Sequence, residues 1–259
     1  MMQTQQKSTV AAPEFTPDRS NPQVQAAREA EERLYRHYGL ETRAHHVELE
    51  TGRRVRVVES GTGRPVVMVP GGVGDGWIWA PLMAELAGYR LLVLDRPGGG
   101  LSDGVDHRQM DVQQLAVDTL TAVFNYFEIK RAPIVCNSMG GLWSFWFALA
   151  RPERVDALVQ LGCPALILNT SAPFPMRLMS VPLLNRLLVK QMIPDDRKEV
   201  RESVTFLGHP ASVGESWPDA MCACGYCFRH LPKYKTAWLS LMEAMLTPLG
   251  ANERYAFSA

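Results

Sequence analysis

The stretch that most constrains this chain is residues 132–141, with the sequence APIVCNSMGG. It predicts a short buried strand, a sharp turn that carries Ser138, and the start of an apolar helix. This order is typical of a nucleophile elbow, in which the serine meets an external base and its developing oxyanion faces the amides of the helix N-terminus. Gly140 and Gly141 allow the close backbone approach that the turn requires, and Cys136 occupies a position that is usually glycine. A plain helix N-cap at Ser138 is the alternative interpretation.

A second motif is the glycine-rich loop at residues 71–77 (GGVGDGW), which directly follows the apolar segment 65–70. That segment predicts a strand buried on both faces. Glycine-rich loops after buried strands also bind phosphate, but this loop matches neither GxGxxG nor GxxxxGK and contains no lysine. We therefore interpret it as a loop that presents a backbone amide to an oxyanion.

The core of the chain alternates between strand and helix patterns. An antiparallel hairpin at residues 45–59 comes first, and buried strands and amphipathic helices then follow one another. Such alternation predicts an α/β fold with a mostly parallel sheet, helices on both of its faces, and ligand-binding loops at the carboxyl ends of its strands. The loop at 71–77, the turn at 96–102 and Ser138 all fall at those ends. A capped helix over residues 22–38 is predicted to lie across the outside of this domain.

Three stretches in this order resemble the α/β-hydrolase superfamily. Residues 69–77 are similar to its oxyanion loop, residues 95–102 to the turn after its next strand, and residues 136–141 to its elbow. The resemblance covers about residues 44–165 and implies the α/β-hydrolase fold there.

Carried over position by position, the resemblance implies that Ser138 is the nucleophile and that the backbone amides of Gly72 and Met139 are the oxyanion donors. Pro70 stands where the family often has histidine. The string NSMGG at the elbow is similar to that of hydrolases that cleave carbon–carbon bonds of ring-cleavage products, and esterases share close variants of it. The reaction subtype therefore stays open between these two.

Residues 166–259 differ in character, because they consist of helical segments rich in methionine and leucine. The resemblance implies a helical lid at this place, over an apolar pocket. One segment, 175–192, has basic residues beside leucines and is also compatible with a membrane-surface helix, but Pro182 interrupts it. The predicted organisation is a leader and helix at 1–43, the hydrolase core at 44–165 and the lid at 166–259.

The resemblance also shows which catalytic residues this sequence leaves unassigned. In the family, an acid and then a histidine follow the lid on two further strands. No second buried strand followed by aspartate is found after Ala165, and His209 and His230 lie within the lid segment. The triad acid and histidine are therefore unknown, and the last strands of the sheet are expected to be missing.

An uncovered sheet edge follows from that expectation. Residues 157–161 (ALVQL) would form an apolar edge strand, and exposed apolar edges pair with other strands or aggregate. We therefore expect the chain to be part of a longer hydrolase and to form a homo-oligomer through this edge.

The composition limits the partners. Lys and Arg together number 27, as do Asp and Glu, so the net charge indicates neither nucleic acid nor an anionic membrane as a partner. No apolar stretch reaches transmembrane length, and residues 1–21 lack the apolar region of a secretory signal. These features favour a cytoplasmic protein that acts on a small molecule, neutral or weakly charged, and the apolar lining expected of the lid favours a largely apolar one. No cofactor is expected.

The cysteines and histidines outside the motifs give weaker signals. Five cysteines are an odd number for a disulfide framework and suit a reducing compartment. Cys222, Cys224, Cys227 and His230 could together hold zinc, but the C-x-C spacing is unusual for it. Small apolar residues of a helix are the preferred interpretation, with no metal site. The two histidines at 45–46 are predicted to be solvated on an edge strand.

Two functions from different classes remain. The first is a serine hydrolase in which Ser138 is acylated by an ester-like substrate or by a diketone whose carbon–carbon bond is cleaved. The second is a catalytically inactive α/β-hydrolase-like binding or interaction protein, which keeps the elbow only as a structural turn. A nucleotide-binding protein ranks last, because the glycine-rich loop contains Asp75 as its one carboxylate and no lysine.

Overall fold

The computed structural model of the chain describes residues 20–72, 74–166, 172, 174–206 and 210–255. Most of the predicted leader, and His209 of the lid segment, lie outside the described residues.

Six strands form a single sheet in the order β1-β2-β4-β3-β5-β6. Their bounds are β1 Thr42–Glu48, β2 Arg54–Ser60, β3 Arg64–Val69, β4 Tyr89–Asp95, β5 Ala132–Asn137 and β6 Val155–Pro164. The pairs β1 with β2 and β2 with β4 are antiparallel, whereas β4 with β3, β3 with β5 and β5 with β6 are parallel. The predicted hairpin and the mostly parallel sheet are therefore confirmed.

The apolar central strands explain why helices cover both faces of this sheet. Alternate side chains of β3 and β4 belong to two different buried clusters, one on each face. The first cluster includes α3 (Val112–Tyr126) and α4 (Ser138–Ala150), and the second includes α1 (Pro22–His37) and α2 (Ala80–Glu85). The predicted helix layers on both faces are thus confirmed.

The segment after β6 is helical in its described parts. Its helices are α5 Phe174–Leu178, α6 Leu184–Leu188, α7 Arg197–Phe206, α8 Ala211–Glu215, α9 Asp219–Arg229 and α10 Tyr234–Met245, followed by the two-residue strands β7 Leu246–Thr247 and β8 Gly250–Ala251. Short 3-10 turns lie at Gly76–Trp79, His107–Gln109, Pro152–Arg154 and Val189–Met192.

The helical segment predicted at residues 175–192 is interrupted at Pro182, as the sequence indicates. Pro182 falls in the break between α5 and α6, where the next residue, Leu183, has a left-handed φ of 73°. Proline lacks the amide that a helix interior needs, so the chain turns there. In the described part of the chain, each helix is too short or too polar to cross a bilayer.

A buried ion pair that the sequence does not indicate attaches α1 to the sheet. The side chain of Asn21 caps the helix by accepting from the Gln23 amide at 2.9 Å. On the buried face of α1, Glu31 accepts a hydrogen bond of 3.0 Å from Arg56 of β2. The same Arg56 nitrogen donates to Asp95, at the end of β4, over 2.9 Å. The helix predicted to lie across the outside of the domain is therefore present, but its buried face includes the charged residue Glu31.

Strand β6 forms one edge of the described sheet. Two of its apolar side chains are substantially exposed, Val159 at 44% and Leu161 at 42%. The apolar edge predicted at residues 157–161 is therefore present, and its pairing with a second chain stays a prediction.

The prediction that both histidines of β1 are solvated is wrong for His45. Its side chain is 12% exposed, and its Nε2 lies 2.6 Å from Oε2 of Glu59 on the neighbouring strand. The ring also packs edge-on against Phe127, at the end of α3. Because alternate residues of a strand face opposite sides, His46 is exposed while His45 is covered by the helix end.

Candidate active site

Ser138 is the first residue of α4 and follows β5 directly. Its φ of 46° lies in the left-handed region, which is rare for a residue other than glycine and is typical of the strained turn of a nucleophile elbow. The predicted strand, turn and helix are therefore present. Asn137 is the N-cap of α4, so the alternative interpretation of Ser138 as the N-cap is wrong.

Small residues allow the elbow to pack on the end of β3. A side chain at Gly140 would collide with the carbonyl oxygens of Val69 and Pro70. The thiol of Cys136 is buried and donates to Oε1 of Gln160 at 3.3 Å, so cysteine fits the position that is usually glycine. The turn that carries the serine is thus held against the start of the glycine-rich loop.

The glycine-rich loop lies beside Ser138. A Cβ placed on Gly71 would come within 2.9 Å of the Cβ of Ser138, which shows how closely the two segments approach. The Gly71 amide donates to Oδ1 of Asn137 at 2.7 Å and so ties the loop to the residue before the serine. Gly72 follows with a φ of 54°, a conformation that favours glycine.

The two amides expected to donate to an oxyanion belong to the segments that meet at Ser138. Met139 is the second residue of α4, and the first amides of a helix have no acceptor within it. The helix dipole places partial positive charge at the same end. Among the described residues, no acceptor is bonded to the Gly72 amide. A negatively charged oxygen beside Ser138 could therefore be bound from both sides.

Two carboxylates join the glycine-rich loop to the turn after β4. Asp95 accepts from the amides of Gly76 at 2.7 Å and Leu101 at 2.9 Å. Asp75 accepts from the Gly100 amide at 2.7 Å, and burial raises the pKa of Asp75 to about 6. These hydrogen bonds hold the glycine-rich loop and the turn after β4 against each other, so that a movement of one would displace the other.

The helical segment after β6 contributes Lys233, the residue that precedes α10. Its buried Nζ donates to the carbonyl oxygen of Gly99 at 3.0 Å and to that of Ser102. Burial lowers the pKa of Lys233 to about 8. Sequence reasoning missed this residue, since a single lysine before a helix gives no local signal of a bond to a turn 131 residues earlier.

In the described ranges, no histidine or carboxylate side chain hydrogen-bonds to the Ser138 hydroxyl. His107 is buried, its Nδ1 lies 3.1 Å from the Ser240 hydroxyl, and burial lowers the pKa of His107 to about 3. His230 is bonded through Nδ1 to the carbonyl oxygen of Tyr226 at 2.8 Å. The triad acid and histidine therefore stay unassigned.

The three clustered cysteines after β6 lie in α9, which packs against α1. Cys222 and Cys224 are buried there, and Cys227 is partly exposed. Within the ranges that the structure describes, no three histidine, cysteine, aspartate or glutamate side chains are grouped to hold a metal ion.

Residues 64–203, more than half of the chain, match the family model of the alpha/beta hydrolase fold. The chain belongs to the α/β-hydrolase family. The matched region includes the glycine-rich loop, the turn after β4 and the elbow.

Curated relatives of this α/β-hydrolase are named as hydrolases of 2-hydroxy-6-oxo acids. A 2-hydroxy-6-oxononadienedioate/2-hydroxy-6-oxononatrienedioate hydrolase of Cupriavidus pinatubonensis is 44% identical over 82 residues, which are 32% of this chain and 27% of that protein. A protein of the same name from Burkholderia vietnamiensis is 36% identical over 45% of this chain and 46% of its own length. The chain thus spans between about a quarter and a half of the length of these relatives.

Solved structures agree with this fold. Cfl2 of Burkholderia cenocepacia superposes with a TM-score of 0.65 at 25% identity, over 78% of this chain and 71% of that one. The 2-hydroxy-6-oxo-6-phenylhexa-2,4-dienoate hydrolase of Rhodococcus sp. strain RHA1 superposes with a TM-score of 0.64 at 18% identity, over 85% and 76% of the two chains. At 18% identity, the similarity to the Rhodococcus hydrolase supports the fold alone.

Proposed function

We propose that this α/β-hydrolase is a serine hydrolase that acts on a small, largely apolar carbonyl compound through Ser138. The observation that carries the proposal is the left-handed turn at Ser138 in close approach to the glycine-rich loop. A non-glycine residue in such a conformation costs about 1–3 kcal/mol, and strain of this kind concentrates at functional sites.

The proposed reaction begins when Ser138 Oγ attacks the substrate carbonyl carbon while a base removes the hydroxyl proton. The carbonyl oxygen becomes an oxyanion, which the amides of Gly72 and Met139 stabilise. Removing one such donor typically lowers kcat by about 10²–10³. Collapse of this intermediate expels the leaving group with a proton and leaves an acyl-serine, which water then hydrolyses. The residue that serves as the base is unassigned.

The substrate class is proposed from the relatives and from the elbow. The names of the curated relatives support cleavage of a carbon–carbon bond next to a ketone. An ester-like substrate is the other form of the same chemistry, because the serine, the oxyanion and the acyl intermediate are shared. We propose that the enzyme works without a cofactor, in the cytoplasm, on a small molecule rather than on nucleic acid or a membrane. The exposed edge of β6 supports a homo-oligomer.

A second candidate function is a binding or interaction protein that keeps the α/β-hydrolase fold without catalysis. It is favoured by the surroundings of Ser138, whose hydroxyl has no described histidine or carboxylate as a partner. A serine hydroxyl without a base is a weak nucleophile at neutral pH.

Labelling with a fluorophosphonate probe distinguishes the two. We expect the wild-type chain to be phosphonylated at Ser138, because the probe places its oxygen where the oxyanion donors lie. Ser138→Ala should abolish the label, and peptide mass spectrometry should locate it in the wild type. Ser212→Ala, at an exposed serine of α8, is the matched control and should keep the full label.

Persistent labelling of a folded Ser138→Ala variant would show that the nucleophile lies elsewhere. An unlabelled but folded wild type would instead favour the binding protein.

A further inference from the structure

We propose that Arg96 is a positioning residue, which holds the glycine-rich loop from behind so that the Gly72 amide faces Ser138. The inference rests on the proposed function for its effect on turnover, but the contacts themselves are visible in the structure. No motif of the sequence indicated this role, since Arg96 lies in a turn rich in proline and glycine.

The guanidinium of Arg96 bonds to three successive carbonyl oxygens of the loop. Its Nε donates to Pro70 at 2.9 Å, and its Nη2 donates to Gly71 at 3.3 Å and to Gly72. The side chain is 0% exposed, and its guanidinium lies 5.0 Å from the ring centre of Trp143 on α4. Arg96 therefore fills the space between the loop and the helix that begins at the elbow.

The bond to the Gly71 carbonyl fixes the direction of the next amide. In a planar trans peptide the C=O and the following N–H point in opposite directions. Because the Gly71 oxygen is drawn toward Arg96, the Gly72 N–H points away from Arg96. On its other side the loop is held by the bond from the Gly71 amide to Asn137, so the peptide is fixed between Arg96 and the elbow.

Backbone hydrogen bonds also connect the glycine-rich loop to Arg96. The Arg96 amide donates to the Gly74 carbonyl at 3.0 Å, and the Gly74 amide donates to the Gly71 carbonyl at 2.9 Å. Gly74 has a φ of 102°, and a Cβ there would come within 2.6 Å of the Arg96 Cβ. The loop thus wraps tightly around Arg96.

The charge of Arg96 also acts on the loop. Burial lowers the pKa of Arg96 to about 9, so the guanidinium is still charged at neutral pH, and Asp75 opposes this shift. Among the described residues, no carboxylate is hydrogen-bonded to it. A cation bound to a carbonyl polarises that peptide and strengthens hydrogen bonding by its N–H. Arg96 is therefore expected to make Gly72 a better oxyanion donor.

Arg96→Met tests this role, because methionine keeps much of the length and loses the charge and the donors. The matched control is Arg90→Met. Arg90 also stacks on an aromatic ring, but it lies near the opposite end of β4, about 20 Å away at 3.3 Å per residue. Two quantities are measured in both variants: hydrogen exchange of the amides of residues 71–76, and kcat and KM on a chromogenic short-chain ester.

We expect Arg96→Met to raise amide exchange in the loop by at least about tenfold, because local opening becomes easier. The kcat should fall by about 10²-fold, as for the loss of one oxyanion donor, while KM changes little. Arg90→Met should leave both quantities unchanged. Arg96→Lys keeps the charge without the planar fork of donors, so its loop exchange and its kcat should lie between those of the wild type and of Arg96→Met. If Arg96→Met does not fold, Arg96→Lys is compared with Arg90→Met instead.

Unchanged loop exchange in folded Arg96→Met overturns the positioning role, whatever happens to turnover. Faster exchange with an unchanged kcat overturns it as well. If the wild type shows neither turnover nor labelling at Ser138, the proposed function is contradicted instead. The amide exchange of the loop alone then tests whether Arg96 positions it.

Discussion

Two buried arginines at the same end of the sheet have opposite surroundings. Burial lowers the pKa of Arg56, but Glu31 and Asp95 outweigh it and raise that pKa above its ordinary value. Burial lowers the pKa of Arg96, whose hydrogen bonds go to loop carbonyls. Arg56 joins α1, β2 and β4, whereas Arg96 holds a single loop beside Ser138. The difference indicates that one cation stabilises the fold and the other shapes the site.

The largest expected effect is on stability, from Arg56→Met. The change leaves Glu31 and Asp95 as buried carboxylates without their cation, and breaking a buried ion pair in this way costs about 3–5 kcal/mol. Urea denaturation should show this loss as a lower midpoint. The folded fraction should still react with the fluorophosphonate probe at the rate of the wild type.

A loss below about 1 kcal/mol would show that Arg56 is dispensable to the fold. Slower labelling of the folded fraction would show that Arg56 acts on the site, and either result would contradict the different roles of the two arginines.

The next effect is pH-dependent and concerns Asp75, the carboxylate near Arg96. Its folded pKa of about 6 lies above the unfolded value near 3.9. The folded state therefore binds more protons between these pH values, so its contribution to stability is present below about pH 4 and is lost as the pH rises through 6. Relative to Asp75→Asn, the free energy of unfolding of the wild type should fall by up to about 3 kcal/mol from pH 4 to pH 7.

Chemical denaturation at a series of pH values measures this difference, with Asp118→Asn on the exposed face of α3 as the control. A difference that is constant with pH would contradict the burial of the Asp75 charge.

The smallest effect is expected at Lys233, which precedes α10. Lys233→Met removes a donor to the carbonyl oxygens of Gly99 and Ser102; the Gly99 oxygen still accepts from the Ser102 amide at 3.1 Å, and the loss at the Ser102 oxygen costs about 1–3 kcal/mol. Lys235→Met, at an exposed position of α10, should change the midpoint little. If both variants melt at the wild-type temperature, Lys233 does not stabilise the turn that carries Arg96.

The sequence predicts those parts of the fold that local patterns encode. Apolar runs give β3 and β4, Asn21 and the following proline give the start of α1, and the order of residues 132–141 gives the turn at Ser138. Each of these depends on neighbours within a few residues. Pro182 also carried a local signal, and it lies in the break between α5 and α6.

The contacts that shape the site could not be predicted in the same way. Arg96 meets carbonyls 24–26 residues earlier, and Lys233 meets carbonyls more than 130 residues earlier. Backbone carbonyls are present at every position, so no residue type marks them as partners. His45 shows the same limit, since its burial depends on how the end of α3 packs across the hairpin.

Turnover of a chromogenic short-chain ester by the wild type and by Ser138→Ala tests directly whether Ser138 is the nucleophile. We expect the variant to keep the circular dichroism spectrum and melting temperature of the wild type, because Ser138 is partly exposed and the loss of its hydroxyl leaves little cavity. Any hydrolysis by the wild type should disappear in the variant. Unchanged turnover by a well-folded Ser138→Ala variant would contradict the assignment of Ser138 as the nucleophile.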